Sequence, residues 1–142
     1  MKVLGIDPHS AKPYGWAVID EGKLMSYGLA SLHDLYSLMK EYKPDLVAVE
    51  DQYLARNYLT AKSLSISAGK VLGAAELLGI KTVSVNVAQW KAAFHCTGGG
   101  GAHQMAVSMV LLDSKLGELL GDDEASAAGI AWYAWSQASR KM

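Results

Sequence analysis

Short apolar runs and helical apolar spacings alternate along the chain in an order that predicts the architecture. Val3-Leu4-Gly5-Ile6 is an unbroken apolar run closed by Asp7, the pattern of a strand covered on both faces. Pro8-His9-Ser10 reads as a turn, and Gly15–Ile19 as a second strand. Asp20-Glu21-Gly22-Lys23 makes a hairpin turn into a third strand, Lys23–Ala30. Ser31 can cap a helix running to about Tyr42, with Leu32, Leu35, Leu38 and Met39 on one face. Lys43-Pro44-Asp45 stops it, and Leu46–Val49 is a buried strand ending at Glu50. Thr60–Leu78 is a long helix before Gly79, and Lys81–Val85 a fifth strand. A short helix from Asn86 or Val87 to about Phe94, a glycine loop at Gly98–Gly101, and helices at Ala102–Leu116 and Ala125–Ala138 complete the chain.

This order predicts an α/β fold. Three hairpin-connected antiparallel strands are joined by two more that return through helices. The result is a mixed five-stranded sheet flanked by helices. Crossovers through helices favour parallel pairing for the fourth and fifth strands.

A length of 142 residues and 51% hydrophobic composition fit one domain with a full core, and exclude a disordered chain. The lone Cys96 cannot form a disulfide within the chain, has no evident partner and reads as inert. No run reaches the roughly 18 apolar residues of a membrane helix, and the start does not have the form of a signal peptide, so a cytoplasmic protein with no membrane association is expected. The formal net charge of −1 gives no general vote for a polyanion. Its distribution says more. Residues 52–112 hold Arg56, Lys62, Lys70, Lys81 and Lys91 against one acid, Glu76, a net +4, while 8 bases and 13 acids elsewhere leave −5. The middle of the chain either scatters its lysines in solvent or offers a polyanion one basic face.

Candidate chemistry lies in the acids. Asp7 and Glu50 each end a buried strand, and adjacent parallel strands would bring both to one sheet edge. Two such carboxylates repel, a cost that a cation removes. Asp122-Asp123-Glu124 precedes the last predicted helix, where capping and the helix dipole account for one or two of the three.

Three motifs resemble the RuvC family of Holliday junction resolvases, in the ribonuclease-H-like superfamily. Gly5-Ile6-Asp7-Pro8-His9-Ser10 is similar to the family's opening GIDPGS. Val47-Ala48-Val49-Glu50-Asp51-Gln52-Tyr53-Leu54-Ala55-Arg56-Asn57 resembles its second motif, and the segment from Asp123 to Ala131 its C-terminal DAADALAIA. The order and spacing agree over nearly the whole chain. The resemblance implies a ribonuclease-H-like fold and a metal-dependent endonuclease that nicks four-way DNA junctions in pairs as a homodimer. It also implies Asp7, Glu50 and Asp123 as ligands of two Mg²⁺ or Mn²⁺ ions. Where the family has a further Asp, this chain has Ser126, a poor metal ligand for which Asp122 could compensate. Where it has glycine, this chain has His9, either an imidazole beside the metal site that could titrate near neutral pH or, the reading preferred here, a surface turn residue.

Lys91 falls where the family has one catalytic lysine. His103 falls near the second, and either stands in for it when protonated or merely begins a helix. Tyr53 matches an aromatic that stacks on a junction base, and Arg56, Asn57 and Lys62 extend that DNA surface. The long helix Thr60–Leu78 is the expected dimer interface, and Met105, Met109, Trp132 and Trp135 are expected in the core. An actin-like ATPase would need two such domains. An RNA-processing nuclease of the same fold, or a junction binder with impaired catalysis, would keep the fold and change the outcome.

Overall fold

The computed structural model describes residues 1–51, 58–96, 102–112 and 119–140. Strands β1 (Lys2–Asp7), β2 (Tyr14–Asp20) and β3 (Lys23–Ala30) lead to helix α1 (Leu32–Tyr42) and strand β4 (Leu46–Asp51). Helix α2 (Tyr58–Leu77), strand β5 (Lys81–Asn86), and helices α3 (Val87–Ala93), α4 (Ala102–Leu111) and α5 (Asp122–Arg140) follow. The five strands form one sheet in the order β3-β2-β1-β4-β5. β1–β2 and β2–β3 are antiparallel, and β1–β4 and β4–β5 are parallel, as the hairpins and crossovers require.

Alternation along each strand divides the core between two faces. Leu4, Ile6, Trp16, Val18, Val47 and Val49 face α1 and α2, where Leu35, Met39, Val71 and Ala75 are buried. Val3, Ala17, Ile19, Ala48 and Val85 face the other way, toward Trp90 of α3 and the buried face of α5. Local chemistry sets the helix ends. Ser31 Oγ accepts the Asp34 N–H at 3.2 Å, and Lys43 closes α1 in the left-handed region, its N–H donating to Met39 O at 3.0 Å.

The buried face of α5 is lined by Ala125, Ala127, Ala128, Ala131 and Ala134, so the helix settles close to β1 and β2. A Cβ on Gly5 would stand 2.3 Å from the Ala127 carbonyl oxygen, and one on Gly15 2.3 Å from that of Asp123. Glycine at both places is a requirement of helix-to-sheet distance, not of backbone dihedrals.

Several boundaries differ from expectation. α5 begins at Asp122 rather than Ala125 and runs to Arg140 rather than Ala138, with Ala125 N–H donating to Gly121 O at 2.8 Å. The three acids therefore form its first turn, where unpaired N–H groups and the dipole favour negative charge. α2 spans Tyr58–Leu77 rather than Thr60–Leu78, and β5 extends to Asn86. α4 ends at Leu111 rather than Leu116, and residues 113–118 lie outside the described residues, as does the glycine loop 98–101. Met109 is 62% exposed instead of buried, because it lies on the side of α4 turned away from α5. Trp132 and Trp135 pack at the core margin, and Cys96 is buried with Sγ 3.4 Å from Lys91 O.

Since α5 meets backbone at Gly5 and Gly15, Gly5→Ala or Gly15→Ala must push the helix outward. Each is expected to lower stability by roughly 1–3 kcal/mol, read as an earlier midpoint in urea denaturation. An unchanged midpoint in both would contradict the close contact.

Candidate active site

Asp7 ends β1 with its side chain on the α5 face, two residues beyond Gly5. Gly15, its antiparallel partner on β2, lies under Asp123. The β1–β2 turn therefore folds back over the end of β1, bringing His9 and Lys12 to the same place. His9 Nε2 stands 2.9 Å from Asp123 Oδ1 and 3.4 Å from Asp7 Oδ2. That nitrogen is shielded from solvent and faces both carboxylates. Lys12 Nζ lies 3.2 Å from Asp123 Oδ2 and 3.4 Å from Oδ1. One donor atom from each of Asp7, His9 and Asp123 lies within 4.8 Å of the others.

The electrostatics follow from that crowding. Burial is the main reason the Asp7 carboxyl is held above its ordinary pKa. The His9 ring opposes the shift, and the charges of Asp123 and Asp122 add to it. Burial acts to lower the His9 pKa, but contact with Asp7 and the charges of Asp7 and Asp123 outweigh it and raise the value. Both groups hold protons more tightly in the folded chain than in the unfolded one.

Glu50 occupies the next strand end. Gly5 pairs with Ala48 and Ile6 with Val49 in parallel register, so Glu50 is the neighbour of Asp7 and shares the α5 face with Ala48. Its Oε1 accepts the indole N–H of Trp90 at 3.1 Å. Trp90 reaches it because Asn86 ends β5 and caps α3, Oδ1 accepting the N–H groups of Ala88 at 2.8 Å and Gln89 at 3.3 Å. Gly129 of α5 leaves room for the ring, since a Cβ there would come within 2.6 Å of Trp90 Cε3.

Asp122 and Ser126 turn to another partner. Buried His103 on α4 places Nε2 at 2.9 Å from Asp122 Oδ1, 3.1 Å from Asp122 O and 3.2 Å from Ser126 Oγ. These residue types suggest a Ser-His-Asp nucleophile. The geometry excludes one, because serine and aspartate meet the same ring nitrogen and no proton can pass across the imidazole. His103 instead ties α4 to the first turn of α5.

Of the residues singled out from the sequence, the fold thus gathers Asp7 and Asp123 tightly, sets Glu50 on the adjoining strand, and assigns Asp122, Ser126 and His103 to one another. Lys91 is half-buried, its ammonium 5.8 Å from the centre of the Trp90 ring. Lys62 is exposed on α2. Tyr53, Arg56 and Asn57 lie outside the described residues. His9, expected on the surface, belongs to the cluster, because the Asp7–Gly15 pairing curls the turn inward. Lys12 and Trp90 were not foreseen. A lysine five residues after Asp7 in a closing turn was a usable signal, whereas nothing in the local pattern marks Trp90 as a partner of Glu50.

Comparison with known proteins agrees with this geometry. No family model matches the chain. It is 31% identical to the crossover junction endodeoxyribonuclease RuvC of Thermomicrobium roseum, over 99% of this chain and 97% of that protein. It is 33% identical to the protein of the same name from Brevibacillus brevis, over 92% and 89%. The fold matches Thermus thermophilus RuvC, solved in complex with a Holliday junction substrate, with a TM-score of 0.79, 21% identity, and coverage of 99% and 96%. With acids at two adjoining strand ends and the first turn of the helix laid across them, and with relatives aligned almost end to end, the chain belongs to the RuvC family of crossover junction endodeoxyribonucleases.

Proposed function

We propose that this chain is a metal-dependent endonuclease that resolves four-way DNA junctions by paired nicks, acting in the cytoplasm as a homodimer of single nuclease domains. The observation that carries the reading is the Asp7 carboxylate, 8% exposed and crowded by Asp123. A family relationship to proteins named for junction cleavage supplies the substrate. The donor set suits a divalent cation, with hard carboxylate oxygens, an imidazole nitrogen turned toward them, and like charges that a cation would relieve.

Asp7, Asp123 and Glu50 are the residues that would hold Mg²⁺ or Mn²⁺, two ions per site. Bound there, the ions supply Lewis acidity for in-line hydrolysis of a phosphodiester. The chain's own contribution is placement. Trp90 holds one oxygen of Glu50, and His103 fixes the start of α5 and so the position of Asp123. Half-exposed Lys12 sets a permanent positive charge beside Asp123, where an incoming phosphate would pass. Lys91, against Trp90, adds a second cation to this side. In this reading Tyr53 stacks on a base, and Arg56, Asn57 and Lys62 contact the backbone of the junction arms.

Paired nicks need two sites related by a twofold axis. α2 offers a face for it. Ile66, Gly69, Gly73 and Leu77 share one side of the helix, with Ile66 50% and Leu77 84% exposed and open space beside both glycines. No helix among the described residues is long and apolar enough to cross a membrane.

Asp7→Asn, Glu50→Gln and Asp123→Asn are each expected to abolish cleavage of a labelled four-way junction in Mn²⁺ while leaving junction binding within a fewfold. Wild-type cutting of structured RNA in preference to the junction would favour the RNA-processing alternative. Tight junction binding with no cutting by wild type would favour the impaired binder.

Ile66→Glu with Leu77→Glu should convert a dimer to a monomer by light scattering. A dimer that survives both would remove α2 from the interface.

The raised pKa values also set a pH dependence. Groups held more tightly protonated in the folded chain stabilise it fully below their unfolded pKa values, ordinarily 3.8 for Asp7 and 6.5 for His9, and lose that contribution as pH rises through the folded ones. Metal-free protein should therefore lose thermal stability as the pH is raised. A divalent ion competes with these protons, so the rise in Tm on adding Mn²⁺ should grow with pH. Asp7→Asn removes the buried charge and should be more stable than wild type in metal-free buffer at neutral pH, by about 0.5–2 kcal/mol. Equal or lower stability would mean that burial does not dominate at Asp7.

A further inference from the structure

We propose that His9 is itself a ligand of the divalent ion held by Asp7 and Asp123, and that its nitrogen turns the site toward Mn²⁺ and other imidazole-binding ions and away from Mg²⁺. The inference rests on the metal-dependent reading above and names a ligand and a selectivity within it.

Three observations carry it. The first is aim. His9 Nε2 is out of contact with solvent and turned into the acid cluster, between Asp123 Oδ1 and Asp7 Oδ2. An imidazole nitrogen aimed between two carboxylates stands where a cation shared by them would sit.

The second is spacing. Two donors at right angles around an ion, with bonds of about 2.1 Å, stand about 3.0 Å apart. Nε2 lies 2.9 Å from Asp123 Oδ1 and 3.4 Å from Asp7 Oδ2, close to the edges of such an octahedron. One donor atom of each of the three groups lies within 4.8 Å of the others.

The third is rigidity. His9 follows buried Pro8 and precedes β2, whose Gly15 pairs with Asp7, so the ring is held by both strands that frame the site. One residue, Pro8, separates Asp7 from His9, and the turn presents both donors to the same point.

The chemistry then sets the preference. Mg²⁺ favours oxygen ligands and retains water, whereas imidazole suits the later divalent ions of the first transition row, and Mn²⁺ accepts it more readily than Mg²⁺ does. Glycine at this position, as in the motif this turn resembles, would leave an all-oxygen site. Histidine replaces one oxygen donor, water included, with nitrogen. His9 could otherwise serve only as a positive charge that neutralises the acids and is expelled when the ion enters.

The two roles differ in a direct measurement. Mn²⁺ bound to the full chain is examined by electron spin echo envelope modulation, with binding followed in parallel by calorimetry for Mn²⁺ and Mg²⁺. Wild type should show nitrogen hyperfine coupling. His9→Gly and His9→Gln should lose it while still binding Mn²⁺ through Asp7 and Asp123; the glutamine variant covers the case in which glycine loosens the turn. Mn²⁺ affinity should fall about 10-fold or more in both variants, and Mg²⁺ affinity should fall by less. Mn²⁺ bound with no nitrogen coupling, coupling that survives in His9→Gly, or an unchanged Mn²⁺ to Mg²⁺ ratio would overturn the role of His9 and leave the metal-dependent reading standing. Failure of wild type to bind Mn²⁺ at all would overturn both.

Discussion

α5 lies on the sheet at backbone distance, and the position of each clustered acid depends on that contact. The carbonyl oxygens of Ala127 and Asp123 occupy the space where side chains on Gly5 and Gly15 would be. A larger residue at either strand position, or a larger face on α5, would lift the first turn of the helix and separate Asp123 from Asp7. The alanines of α5 are therefore as much part of the site as the acids. Each contributes little apolar area, and together they exclude water from one side of the cluster. The same closeness raises the electrostatic cost, because carboxylates brought together in a dry place repel strongly.

The surrounding residues answer that cost by dividing the acids among distinct partners. Asp123 has Lys12 and His9, Glu50 has the Trp90 indole, and Asp122 turns outward to His103. Asp122 and Asp123 are adjacent on a helix and so point about 100° apart. One therefore serves the cluster while the other anchors α4. Ser126 is drawn into the second arrangement, with its hydroxyl on His103. An aspartate at 126 would crowd Asp122 around the same imidazole. The neutral serine is consistent with His103 having claimed this corner of the site.

Much of this was legible in the order of residues, and the failures share a cause. The strands, their pairing directions, and Asp7 and Glu50 at adjoining strand ends follow from runs, turns and crossovers, which are local. The N-terminus of α5 was misplaced because three acids before an apolar stretch read equally as a cap outside the helix or as its first turn. The unpaired N–H groups decide for the latter. Met109 was misassigned because helical spacing tells which residues share a face, not which face meets the core. Lys12 and Trp90 were missed, and His9 was expected on the surface, because their roles come from where the hairpin turn and Asn86 aim a side chain. That information exists only once the Asp7–Gly15 pair and the α3 cap are formed.

The two faces of the sheet carry different burdens. The α1–α2 face is a core of aliphatic and aromatic side chains with no acid, histidine or lysine among its buried residues, so it can hold the strand ends in place whatever the ionisation of the site. The α5 face accepts polar groups and small residues where the acids gather. It can do so because the strands beneath are secured from the other side. On the inference about His9, that asymmetry has a chemical consequence. A site with a serine where a carboxylate could stand, and an imidazole where a glycine could, keeps its number of side chains near the ion but lowers its negative charge. Less charge lessens attraction for every divalent ion, while the nitrogen restores it only for those that bind imidazole. Selectivity then comes from the two departures together rather than from either alone.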